Sequence, residues 1–322
     1  MKWQQTACHV AKKGSIIFSK ENNMGKIMRI ESISQINEMI GNEKLKHPLI
    51  TLIEPSKVKM IPVIEQQITM SLYSISLKNG HECQIKYGRQ NYDFQEGTLM
   101  CMAPGQTIEP FSATDNTALE GWVLIFHPDL ISKSSLGKKM NEYSFFTYDS
   151  HEALHLSEQE RQIATDIVKA IKYEYSQNLD VHSQDLIISN LELLLNYCKR
   201  FYGRQFITRT NVYKDVVIRF EEFLKDYFDS EKPKTLGLPS VKFCAEEMCY
   251  SPNYLSDLLK KETGKTTQEH IHFYLIEKAK MLLLGTQEPV NRIAHSLGFE
   301  YPQHFSILFK NKTGMSPAEY RS

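Results

Sequence analysis

Residues 251–264 (SPNYLSDLLKKETG) and 301–314 (YPQHFSILFKNKTG) are two copies of one pattern set 50 positions apart. Pro, Ser, Leu, Lys, Thr and Gly coincide at six of the fourteen positions. Upstream, Ala245 pairs with Ala294 at an offset of 49, so one copy carries one extra residue in its turn. A unit that recurs within one chain folds twice into the same supersecondary piece, and this repeat constrains the fold more than any other feature.

Each copy reads as a short helix, a tight turn and a second helix ended by Gly264 or Gly314. In the first copy Ser240, after Pro239, caps the first helix, and Ser251 caps the second with Pro252 at the favoured first position. In the second copy Val290, Ile293, Ala294 and Leu297 share an apolar face, Gly298 makes the turn, and Phe305, Leu308 and Phe309 face inward. Alanine at 245 and 294 lets two helices cross closely while the turn sets their angle, which is the helix-turn-helix pattern. A third helix is predicted between the copies over about 267–284, apolar at Ile271, Tyr274, Leu275, Ala279 and Leu282, with Gly285 at its C-cap. About 18 residues at 1.5 Å each make a rod of roughly 27 Å. Two second helices held by such a rod suit successive major grooves of a duplex, about 34 Å apart.

The outward face of the first of these helices offers Asn253, Ser256, Asp257 and Lys260, since Leu255, Leu258 and Leu259 turn inward. The second offers Gln303, His304, Ser306, Ile307 and Lys310. Asn and Gln pair bidentately with adenine, Asp accepts from cytosine N4, and an apolar group meets a thymine methyl. The helix N-termini at Ser251 and Tyr301 add backbone N–H groups for phosphates. Bulk charge contributes nothing, with 38 basic against 38 acidic side chains in the whole chain. Residues 212–322 balance likewise, 15 against 15, and only 301–314 stands out with Lys310 and Lys312 and no acid. Few phosphate contacts imply a shallow salt dependence, so affinity is expected to rely on a dimer that multiplies weak modules.

The rest of the chain divides by texture. Residues 1–27 are polar, carry no apolar signal core, and are expected to form a disordered tail, with Met28 as an alternative start. From about 48 to 127 short apolar or alternating runs (Leu49–Ile53, Ile68–Leu77, Cys83–Tyr87, Thr98–Met102, Leu119–Phe126) are separated by turn signals, which favours a β barrel or sandwich with a mouth for a ligand. Tyr73, Tyr87, Tyr92 and Trp122 are candidates to line an effector pocket there, with ordinary core as the competing role. From about 157 the period becomes 3.6. Ser157 and Glu160 spell a capping box, and a second helix over about 182–203 carries Ile187, Leu191, Leu194, Cys198 and Phe201 at 4-3-4-3 steps, the seam of a helix pair. Ile188, Leu195 and Tyr202 add a second stripe, so this helix needs two partners, one of them the β domain or another subunit. Residues 203–211 are polar and broken, a linker candidate.

Over about 212–322 the chain resembles the AraC/XylS family of transcription regulators. The likeness rests on CAEEMCYSPNYLSDLLKKETG, IEKAKMLLL and IAHSLGFEYPQHFSILFKNKTGMSPAEYR. The resemblance implies an α+β protein: a cupin-like β-barrel sensing domain over 28–150, a helical dimerisation hairpin over 151–205, a linker at 206–211 and a double helix-turn-helix over 212–322. It implies a cytoplasmic regulator that binds promoter DNA, pairs as a homodimer, meets RNA polymerase and answers to a small-molecule effector, with a regulator that has no such effector as the alternative. Base contacts carry over to the two outward faces named above. Asp257 and Ile307 depart from the pattern, standing where relatives often have arginine.

One competing chemistry is written in the chain. His151-Glu152-Ala153-Leu154-His155 is a literal HExxH, which in zinc hydrolases needs both histidines on one helix face with the glutamate as base. The capping box starts the helix only at Ser157, so both histidines are expected in the preceding loop. No catalytic residue, metal site or cofactor is expected. The six cysteines, none in a CxxC pair, read as reduced thiols, and no apolar run is long enough to span a bilayer.

Overall fold

The computed structural model describes residues 27–41, 46–58, 67–79, 85–87, 90–92, 97–108, 120–149, 152–177, 180, 182–208 and 210–322. The expected tail at 1–27 thus lies almost wholly outside the described residues, as does His151. No described helix is long and apolar enough to cross a membrane.

The N-terminal half is built on two sheets. Strands β1 (Met28–Ile30), β3 (Ile68–Met70) and β8 (Thr107–Ile108) form one, with β1 parallel to β3. The larger sheet is antiparallel, in the order β10 (Leu154–His155), β7 (Thr98–Met102), β4 (Tyr73–Asn79), β9 (Glu120–Phe126) and β2 (Ile50–Ile53). Strands β5 (Ile85–Tyr87) and β6 (Gln90–Tyr92) pair as a hairpin. The expected closed barrel is not formed among the described residues. The five-stranded sheet ends in open edges at β10 and β2, and helices rather than further strands cover one of its faces.

Strand alternation explains the layering. Trp122, Leu124 and Phe126 of β9, with Ile75 and Leu77 of β4, face the main core shared with the helices. Ile125 and Val123 point the other way, into a smaller core with Ile30, Ile68, Met70, Leu72 and the helix α1 (Ile33–Met39). Tight turns and the short helix α2 (Ser135–Lys139) then carry the chain to α3 (Glu158–Ser176). The capping box at Ser157 and Glu160 forms as expected: the serine hydroxyl accepts from the Glu160 N–H while the glutamate accepts from the Ser157 N–H.

Helix α4 (Ser183–Thr208) packs against α3 and the sheet layer. Ile187, Leu191, Leu194, Cys198 and Phe201, the expected dimer seam, are all buried within the single chain. Both apolar stripes are used internally, because α3 lies on one side and the segment 143–148 on the other: Phe145 stacks on Tyr202 at 5.5 Å, and Tyr143 donates to Asn196. The outward line of α4 carries different residues, Leu186 (46% exposed) and, one heptad on, Leu193 (45% exposed). The proposed linker is also corrected. Helix α4 continues to Thr208 and α5 (Thr210–Asp229) resumes two residues later, and the polar Arg204 and Gln205 serve tertiary bonds, to Glu160 and His155 and to Ala153 and His155, rather than a coil.

The C-terminal elements are α6 (Lys232–Leu236), α7 (Val241–Met248), α8 (Pro252–Thr263), α9 (Thr267–Gly285), α10 (Val290–Ser296), α11 (Pro302–Thr313) and α12 (Pro317–Arg321). Cys101, Cys198 and Cys244 are buried thiols, and Cys249 is exposed.

Candidate nucleic-acid interface

The two repeats fold alike, down to single hydrogen bonds. Ser240 caps α7 by accepting from the Phe243 N–H, and Ser251 caps α8 by accepting from the Tyr254 N–H. After α7 the Tyr250 N–H returns to the Ala245 carbonyl at 2.9 Å; after α10 the Phe299 N–H returns to Ala294 at 3.0 Å. Both alanines are fully buried at the crossings. The residue that reverses the chain is left-handed in each copy: Gly298 at φ +95° and, at the same 49-residue offset, Cys249 at φ +61°. Cysteine gives no turn signal, so this equivalence was not legible beforehand. The extra residue is Glu300, inserted before the α11 N-cap at Tyr301. Gly264 and Gly314 close α8 and α11 in the left-handed conformation.

Between the copies α9 runs for 19 residues, begun by a Thr266–Glu269 capping box, and at 1.5 Å per residue it is about 28 Å long. It extends through Gly285, the residue expected to end it, and Thr286 takes the C-cap position.

The second recognition helix, α11, presents its expected face to solvent. Gln303, His304 and Lys310 are exposed, and Tyr301 (51%) and Ile307 (58%) stand open. The Ser306 hydroxyl instead donates to the Pro302 carbonyl one turn back.

On the first recognition helix, α8, Lys260 and Asn253 are exposed as expected, though the Asn253 amide is engaged. Ser251 is buried. Its N–H donates to one oxygen of the Glu152 carboxylate at 2.6 Å and its hydroxyl to the other at 2.5 Å. The Asn253 amide donates to the Thr147 hydroxyl at 2.7 Å. One Asp257 oxygen accepts from both the Ser144 hydroxyl (2.5 Å) and the Tyr148 phenol (2.6 Å). Burial, and then the neighbouring Asp257 charge, push the Tyr148 phenol far up, so it stays protonated and donates. Ser256 turns sideways to Thr267 at 3.0 Å, within the C-terminal unit. Sequence reasoning assigned Ser144, Thr147 and Tyr148 no role, because they lie more than a hundred residues away from their partners.

The HExxH pattern is thereby reassigned. Glu152 is 2% exposed and serves as an acceptor for Asp149 and Ser251, while His155 sits in strand β10, before the helix begins. Among the described residues no cluster of three His, Cys, Asp or Glu side chains is placed to hold a metal ion.

The aromatic candidates for an effector pocket separate as well. Tyr73 stacks on Phe126 at 5.0 Å, and Trp122 is 4% exposed with its indole N–H donated to Thr165 of α3. Both therefore belong to the sheet–helix core, because alternation turns them away from the inter-sheet space. Tyr87 and Tyr92 fall in the β5–β6 hairpin. A cavity of about 320 Å³ opens elsewhere, between α1, β2 and α3, lined by Asn37, Thr51, Glu54, Lys172 and Tyr175 among others.

Two like-built helix-turn-helix units joined by one rigid helix form a DNA-binding domain of the kind transcription regulators carry. The Helix-turn-helix domain family matches residues 244–322. The transcriptional regulator YijO of Escherichia coli (strain K12) is 28% identical over 192 residues, 60% of this chain and 64% of that protein. The transcriptional activator RhaS of Enterobacter sp. (strain 638) is 28% identical over 239 residues, 73% of this chain and 80% of RhaS. Among solved structures, the C-terminal domain of AraT, a response regulator from Geobacillus stearothermophilus, is 31% identical and covers 33% of this chain and 83% of that one, with a TM-score of 0.30. Residues 244–322 thus carry an AraC-type helix-turn-helix domain, and these two relatives are named as transcription regulators. Its match to YijO spans slightly under two thirds of that relative's length.

Proposed function

We propose that the protein binds promoter DNA in the cytoplasm as a homodimer, each protomer placing α8 and α11 in successive major grooves to act on transcription by RNA polymerase. The observation that carries this reading is the pair of left-handed turns at the equivalent positions Cys249 and Gly298, separated by α9. In this reading residues 28–150 are a cupin-like sensing unit, 151–205 the dimerisation segment and 212–322 the DNA-binding unit. Pairing uses the outward line of Leu186 and Leu193 on α4, since the inner seam is occupied. A small-molecule effector would sit in the cavity beside α1, where Asn37 and Thr51 bring polar groups to a largely buried wall.

Selection from a randomised duplex pool with the full chain tests the reading. Enriched sites should hold two short conserved stretches about one helical turn apart for each protomer. A pool that stays random after repeated rounds would refute it.

A further inference from the structure

We infer that residues 144–149 together with Glu152 form a clasp that takes the place of DNA on the first recognition helix, so that the closed arrangement is a resting state of low DNA affinity. This rests on the DNA-binding reading above and adds how that binding is withheld.

The chemistry of the clasp mirrors that of a duplex. At the N-terminus of a helix the free N–H groups and the positive end of the macrodipole favour an anion. At α8 the anion present is the Glu152 carboxylate, which takes the Ser251 N–H and hydroxyl with its two oxygens, as two oxygens of a backbone phosphate would. Further along the same edge, Asp257 accepts from two hydroxyls in the role that a cytosine amino group would fill. Asn253, fitted to read a base edge, instead donates to Thr147. Three of the side chains expected to meet DNA are engaged by one short segment, through the very atoms that would make those contacts. A bond set of this kind and DNA cannot hold α8 together.

The clasp is also tied to the N-terminal unit. Phe145 and Phe146 are buried, Phe146 packs edge-on to Tyr73 of β4, and β10 just beyond Glu152 joins the edge of the large sheet. Tyr148 meets Tyr202 of α4 and Tyr254 of α8 edge-on, at 5.2 and 5.1 Å. Opening would uncover Tyr254, now 2% exposed, which favours closure in the absence of a trigger. A shift of the sheet that moved 144–149 and Glu152 would therefore free α8, while α11 stands uncovered throughout. Apparent affinity falls by the fraction of molecules that are open, so a protein open one time in ten binds about tenfold more weakly than the freed form.

The test compares the full-length wild type with Tyr148→Phe/Ser144→Ala and with Glu152→Gln. A duplex enriched from a randomised pool by the double variant serves as probe, and amide exchange over 250–258 is followed with and without it. The release variants should bind at least about tenfold tighter than wild type. Their Ser251–Asp257 amides should exchange faster without DNA, and in wild type the bound duplex should change the protection of that segment. Thr147→Val, which removes the acceptor of Asn253 and the hydroxyl's own bond to the Ser144 carbonyl within the clasp, serves if the double variant does not fold, and should give a smaller gain in the same direction. Equal affinities for wild type and variants overturn the clasp while leaving DNA binding intact. No enrichment by any form overturns both readings.

Discussion

Gly298 and Gly237 meet backbone to backbone: a Cβ added at Gly298 would stand 2.8 Å from the Gly237 carbonyl carbon and 3.0 Å from the Pro233 oxygen. The same Gly237 carbonyl accepts from the Tyr227 phenol at 2.9 Å, so the turn of the second repeat is seated on α5 and α6 together. With φ at +95°, Gly298 combines a conformation and a closeness that no side chain tolerates. Gly298→Ala should lower the stability of the C-terminal unit by at least about 2 kcal/mol, from left-handed strain plus the clash. Urea unfolding followed by tyrosine and tryptophan fluorescence measures it.

The equivalent Cys249→Gly change should act in reverse. Its residue is exposed and left-handed, so glycine removes strain worth about 1 kcal/mol while adding freedom to the unfolded chain. The net change should lie between zero and about 1 kcal/mol of added stability. A marked loss would mean that the Cys249 side chain supports the turn.

On α11 Lys310 and Gln303 should separate by function. Lys310→Ala should weaken binding to all duplexes alike and reduce the salt slope by about 1, because it removes a phosphate contact. Gln303→Ala should relax preference at a single base position, by about 1–3 kcal/mol of discrimination. Titration of a selected duplex and its point variants at several salt concentrations distinguishes the two patterns.

On α4 neighbouring leucines should behave oppositely. Leu191 is fully buried, and Leu191→Ala should cost about 2–5 kcal/mol of folding stability through the cavity it leaves. Leu193→Asp, on the outward line, should leave unfolding within about 0.5 kcal/mol yet turn the dimer into a monomer in sedimentation. A Leu193→Asp protein that still sediments as a dimer would move the pairing surface elsewhere.

Acidification should loosen the C-terminal unit. His270 is 4% exposed and bonded to the Thr263 hydroxyl at 2.7 Å, and burial holds its pKa below the ordinary 6.5. Between the folded and unfolded values the unfolded chain binds more protons, so stability is complete above about 6.5 and declines as pH falls toward the folded value. His270→Gln, which keeps a polar partner for Thr263, should flatten that decline. Unfolding midpoints at about pH 7.5 and about pH 5.5 should therefore lie closer together in the variant than in wild type.

Much of the C-terminal third could be read from local chemistry. Ser240 and Ser251 cap the helices they precede, Gly264, Gly298 and Gly314 reverse the chain where they stand, and Ala245 and Ala294 sit at the crossings. Each of these signals acts over four or five residues, the range within which a backbone hydrogen bond or a cap closes, so the sequence by itself determined two equivalent helix-turn-helix units on one rod. It could not say which side of a helix finds a partner within the chain and which is left for another molecule. The α4 seam was legible as apolar, but only the packed structure decided that α3 and the segment 143–148 use it up. The carboxylate at Glu152 was legible as part of a pattern, but only folding brought it to Ser251. Burial and long-range hydrogen bonds depend on segments a hundred residues apart meeting in space, and no local propensity records that meeting.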